Sequence, residues 1–112
     1  LLQDINKAYE GRKLWIELIE ENNISDRDYV ILMPSLNKSY NYYSLLHLNK
    51  FLEQKNADRA IILTYDEDII ESAELFSDKI DKVVNFSREN AEMLMKFYSL
   101  YMFTDKLIII SL

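Results

Sequence analysis

The sequence predicts a single α/β domain built on a short parallel sheet. Four apolar runs of strand length alternate with amphipathic stretches of helix length from residue 3 to the end. With only one Gly and one Pro in 112 residues, tight turns are scarce and long helices are permitted. Apolar residues make up 49% of the chain, and no block is polar or repetitive enough to stay disordered, so one ordered core is expected.

From Asp4 to about Glu21, the residues Ile5, Ala8, Tyr9, Trp15, Ile16 and Ile19 recur at helical spacing. Asp4 can act as N-cap, and Gly11 marks a point where this helix can break. The run 29–33, closed by Pro34, reads as the first strand, since proline lacks the amide hydrogen a ladder needs. Ser39 or Asn41 can cap a second helix whose stripe is Tyr42, Leu45, Leu46, Leu48 and Leu52. Residues 60–65 form the second strand. Asp66 then caps a third helix presenting Ile69, Ile70, Ala73, Phe76 and Ile80. Residues 82–86 are a weak third strand whose polar Asn85 and charged entry through Asp81 and Lys82 suit a sheet edge. Ser87 caps a fourth helix reaching about Phe103, and 107–112 is the fourth strand.

Helical crossovers between strands imply right-handed βαβ units and parallel pairing. With the third strand at an edge, the order 3-2-1-4 follows. This architecture resembles half of a doubly wound, Rossmann-like three-layer sheet flanked by four helices. The absence of an initiator Met and the apolar ending Ile110-Ser111-Leu112 lead us to expect that domain 1–112 is cut from a longer chain. A strand buried on both faces is normally followed by a further element.

Composition narrows the function classes. The net charge of −6 comes from 19 acidic and 13 basic side chains interspersed along the chain, which argues against a nucleic-acid partner. No apolar run approaches the roughly 20 residues needed to span a bilayer, and no signal-like start is present, so no membrane partner is expected. Zero Cys removes thiolate nucleophiles and Cys-based metal sites and suits a cytoplasmic location. His47, the only His, lies mid-helix between Leu46 and Leu48, away from the strand ends where a general base would be needed.

In open α/β sheets ligands bind beyond the carboxyl ends of the strands, above all where strand order reverses, here between strands one and four. The ligand-binding candidates are therefore Ser35, Asn37, Lys38, Ser39 and Tyr40 after strand one, and Ser87 and Arg88 after strand three. Hydroxyls, amides and a cation before a helix start suit a phosphate or carboxylate. Neither G-x-G-x-x-G nor the P-loop pattern is present, and an ordinary βα loop rich in capping residues reads the same way. No cofactor is named by the sequence. Asp66-Glu67-Asp68 resembles the D-x-D metal motif of some glycosyltransferases and of toprim nucleases, which makes Asp66 and Asp68 candidate metal ligands. The toprim pattern also wants a Glu after the first strand, where this chain has Pro34 and Ser35. Asp66 as N-cap with two acids in the first turn is the simpler reading.

The fourth helix is apolar nearly all round. Ala91, Leu94, Met95, Tyr98, Tyr101 and Met102 make one stripe, and Met93, Phe97, Leu100 and Phe103 a second. The second stripe is the expected interface with another copy or with the rest of the parent chain. Two functions follow from these features. One is a nucleotide- or phosphosugar-binding part of a larger transferase-like enzyme, taking a small anionic ligand. The other is a non-catalytic interaction or self-association domain.

Overall fold

The computed structural model describes residues 1–34, 38–101 and 104–110, with backbone alone at 38–42. The first apolar spacing forms α1 (Leu2–Asn22), which begins upstream of Asp4 with Leu1 at the N-cap position. Asp4 lies instead in the first turn, 3.3 Å from the Lys96 ammonium. The helix does not break at Gly11. A Cβ built on Gly11 would lie 2.0 Å from the Met93 carbonyl oxygen and 2.8 Å from Phe97 Cβ, so glycine is what lets a second helix cross here.

The following elements are β1 (Asp28–Leu32), α2 (Lys38–Gln54), β2 (Arg59–Thr64), α3 (Glu67–Ser72), β3 (Ile80–Asn85), α4 (Arg88–Tyr101) and β4 (Leu107–Ile109). Two helices end on asparagines with positive φ, Asn23 at 49° and Asn56 at 52°, a conformation Asn tolerates better than most residues. Each end is closed by a six-residue return bond, from the Ile24 amide to the Ile19 carbonyl (3.1 Å) and from the Ala57 amide to the Leu52 carbonyl (3.0 Å). In a chain with one glycine, Asn takes the helix-ending role.

The sheet is parallel throughout, in the order β3-β2-β1-β4, as the alternation predicts. The β1–β2 register sets Asp28 opposite Arg59 and Ile31 opposite Ile62. Because side chains alternate across a strand, Ile31, Met33, Ala60 and Ile62 face α2 and α3, which contribute Leu45, Leu48, Leu52, Ile69 and Ala73. Val30, Leu32, Ile61, Leu63 and Leu107 face α1 and α4, with Leu18, Ala91, Leu94 and Phe97. The result is three layers with a core on each side of the sheet. At about 1.5 to 3 kcal/mol per fully buried large aliphatic side chain, these two cores are the main source of stability.

Three local expectations are corrected. The helix after Asp66 gives way to a 3-10 turn at Ala73–Leu75, and Ile80 belongs to β3, where it packs against the α2/α3 core. α2 starts at Lys38, which places Ser39 and Asn41 within the helix, downstream of the N-cap position expected for one of them. On α4, Tyr98 and Tyr101 are exposed, while Phe97 is buried at 8%. α1 crosses α4 at Gly11 and covers the side of α4 assigned from sequence to another chain. The edge character read for β3 agrees with its exposed Asp81, Lys82 and Asn85. Leu36, Met102, Ser111 and Leu112 lie outside the described residues.

Candidate functional site

Parallel topology gives the sheet two unlike edges. Each crossover helix runs back against the strands, so α2, α3 and α4 all start at the carboxyl edge, and α1 and α2 end at the amino edge. Free amides and the positive dipole end gather at the first edge, and free carbonyls and the negative end at the second.

At the carboxyl edge the ladder continues just past the strands. The Met33 amide bonds Leu63 O (2.9 Å), the Phe86 amide bonds Thr64 O (2.7 Å), and the Ile110 amide bonds Leu32 O (2.9 Å). Beyond it, the Asp66 amide donates to Thr64 Oγ1 (3.1 Å), which fixes the turn into α3. Asp66 Oδ1 then accepts from the Asp68 amide (2.9 Å), so this carboxylate caps its own helix. Ser87 Oγ accepts from the Asn90 amide (3.1 Å) and does the same for α4. The adjacent Arg88 is exposed, and its guanidinium carbon sits 5.4 Å from the centre of the Tyr65 ring. Tyr65 is half-buried at the end of β2 and packs on the α1/α4 core, so it is a fixed platform for that guanidinium.

The candidate residues are thus placed unevenly. Ser87 and Arg88 stand at the carboxyl edge beside Tyr65, at the β2/β3 side of the sheet. Asp66 and Asp68 are half-buried at the start of α3, with Asp66 engaged as a cap. Among the described residues, no group of three His, Cys, Asp or Glu side chains is placed to hold a metal ion. Ser35 and Asn37 lie outside the described residues, as do the side chains of Lys38, Ser39 and Tyr40, although α2 starts at Lys38 next to the β1/β4 switch point. Of the interface candidates, Met93 is half-buried with its carbonyl against Gly11, and Phe97 belongs to the chain's own core. Leu100 is exposed at 46%, and Phe103 lies outside the described residues. His47 is exposed on α2.

The amino edge carries a polar network that sequence reading missed. Asp28 Oδ2 accepts from the Ser25 amide (2.9 Å), the Ser25 hydroxyl (3.0 Å) and Arg59 Nη2 (3.0 Å). Arg59 also donates to the carbonyls of Asn22 and Asn23, the end of α1, and reaches Asp81 at 3.5 Å. Burial alone would raise the Asp28 carboxyl. The Ser25 and Arg59 hydrogen bonds and the Arg59 charge outweigh it, and its pKa lies below the ordinary carboxylate value. The Asp28 hydrogen bond, opposed by burial and aided by the charges of Asp28 and Asp81, raises the Arg59 pKa. The end of α2 is answered similarly. Arg27 Nη2 donates to Asn56 O (2.7 Å), and Lys79 Nζ donates to Ala57 O (2.7 Å). The available signal was the charged residue opening each of β1 and β2, but the partner carbonyls come from distant helix ends.

Together these features define a three-layer α/β domain with an all-parallel sheet. Comparison with protein-family models, with curated proteins and with solved structures finds no match for the chain. No helix among the described residues is long and apolar enough to cross a membrane.

Proposed function

We propose that this domain binds a small anionic ligand of the nucleotide or phosphosugar class at the carboxyl edge of its sheet, as part of a larger transferase-like enzyme. The observation that carries this reading is the electrostatic inequality of the two edges. At the amino edge, Arg59, Arg27 and Lys79 answer the helix ends from within the chain. At the carboxyl edge, α3 begins with Glu67 and Asp68 and α4 carries Glu89 beside Arg88, so the helix start with no acid of its own is that of α2. An anion supplied from outside offsets the positive end of α2 and pairs with Arg88. The Arg88 guanidinium, exposed and 5.4 Å from the centre of the Tyr65 ring, has N–H groups to offer a phosphate or carboxylate. Ser35, Asn37 and Lys38 are proposed to meet the same ligand from the β1 side.

Thermal melting with uridine diphosphate and a uridine diphosphate sugar, each with and without manganese, tests the reading. A ligand at ten times its Kd stabilises by about 1.4 kcal/mol, which raises the Tm of a domain this size by several degrees. No shift with any of these at millimolar concentration contradicts it.

A second reading, association through the end of α4, is supported by Leu100 at 46% and Tyr101 at 51% exposure. Light scattering separates the two. A dimer that Leu100→Asp dissociates favours association, and a monomer at high concentration removes it.

A further inference from the structure

A hollow of about 360 Å³ opens at the amino end of β1 and β4, on the far side of the molecule from the anion site proposed above. Its apolar walls are Tyr29, Phe51, Tyr98, Leu107 and Ile108. The two inner rings are fixed against each other, Tyr29 and Phe51 meeting edge to face at 5.5 Å. Two ammonium groups flank them, Lys55 at 5.9 Å from the Phe51 ring centre and Lys106 at 5.3 Å from that of Tyr29. Unlike Arg27, Arg59 and Lys79, neither of these lysines has a carboxylate or backbone carbonyl partner among the described residues. One carboxylate, Asp105, shares the rim with the Thr104 hydroxyl. Lys55 lines the hollow together with Asp105, and Lys106 stands outside the lining against the Tyr29 ring, so two ammonium groups face one carboxylate around it.

We infer that this hollow is a second small-molecule site, for a flat aromatic ring bearing one negative group. Its volume is in the range of ligand clefts, and its rigid apolar wall with a few convergent polar groups is the usual makeup of one. The ring lies against Tyr98, Phe51 and Leu107, the acid meets Lys55 and Lys106, and Thr104 and Asp105 receive a donor such as a phenolic hydroxyl. The inference rests on these contacts alone and stands or falls independently of the carboxyl-edge reading.

Titration of the whole chain with 4-hydroxybenzoate, followed by amide chemical shifts, tests it, with phenol and acetate as ring-only and charge-only probes. The expected result is saturable shifts at Phe51–Lys55, Tyr29 and Leu107–Ile108, with 4-hydroxybenzoate binding at least about fivefold more tightly than either probe. Lys55→Ala combined with Lys106→Ala changes side chains at the rim and leaves the core intact. It is expected to weaken 4-hydroxybenzoate about tenfold and leave phenol unchanged. No saturation by about 10 mM, shifts confined to other residues, or equal binding to the double variant each overturns the inference.

Discussion

The amino and carboxyl edges of the sheet are built from the same kinds of residue and use them differently. At the amino edge, Arg59, Arg27 and Lys79 close on the ends of α1 and α2, and Asp28 is held by Ser25 and Arg59 with its side chain 5% exposed. At the carboxyl edge, Ser87 and Asp66 each satisfy one helix-start amide, and Arg88 rests on Tyr65 in solvent. Polar groups at the amino edge hold the layers together. At the carboxyl edge they cap the starts of α3 and α4 and shape the surface. Substitutions at the two edges are therefore expected to separate stability from binding.

The largest effect is expected from Asp28→Ala. It leaves Arg59 partly buried without its nearer carboxylate and removes the acceptor of the Ser25 amide and hydroxyl, at a cost of about 2 to 3 kcal/mol in urea unfolding. Arg59 keeps some access to water, which places the cost below that of a fully buried pair. The same residue sets an acid limb. Its pKa is lowered by folding, so its contribution is complete above the ordinary carboxylate value and is lost as pH falls through the folded value. The stability difference between the parent and Asp28→Asn is therefore expected to be constant near neutrality and to narrow below about pH 4. A difference that grows on acidification contradicts this assignment.

A smaller effect is expected from removing a cap at the carboxyl edge. Ser87→Ala loses the bond to the Asn90 amide and costs about 1 kcal/mol in the same unfolding assay. The smallest effect on stability is expected from Arg88→Ala, within about 0.5 kcal/mol, because the side chain is exposed and makes no ion pair among the described residues. If Arg88→Ala instead destabilises as much as Asp28→Ala, the carboxyl edge is structural too and the comparison fails.

The fold was legible because its two strongest signals are local. Val30-Ile31-Leu32 and Ile61-Ile62-Leu63 are apolar on both faces, as central parallel strands must be, and the intervening leucines of α2 repeat at helical spacing. What escaped depends on distant partners. Gly11 reads as a weak point within a helix, and only the Met93 carbonyl opposite it makes it a crossing point. Phe97 and Tyr98 are equally apolar neighbours, and the position of α1 decides that the first is buried and the second exposed. At the carboxyl edge, the caps at Asp66 and Ser87 were legible because a cap lies next in sequence to the helix it serves. The approach of Arg88 to the Tyr65 ring was not, because it joins the end of β2 to the start of α4 across a whole crossover.

Anion binding is expected at the carboxyl edge and not at the amino edge. The most direct measurement is a map of amide chemical shifts during titration with pyrophosphate, which has no ring to engage the aromatic hollow. Saturable shifts are expected at the amides of Asp66–Asp68, Ser87–Ala91 and the first turn of α2, with affinity reduced about tenfold by Arg88→Ala. Shifts confined to Asn22–Asp28 and Arg59, or an Arg88→Ala variant that binds as tightly as the parent, would contradict it.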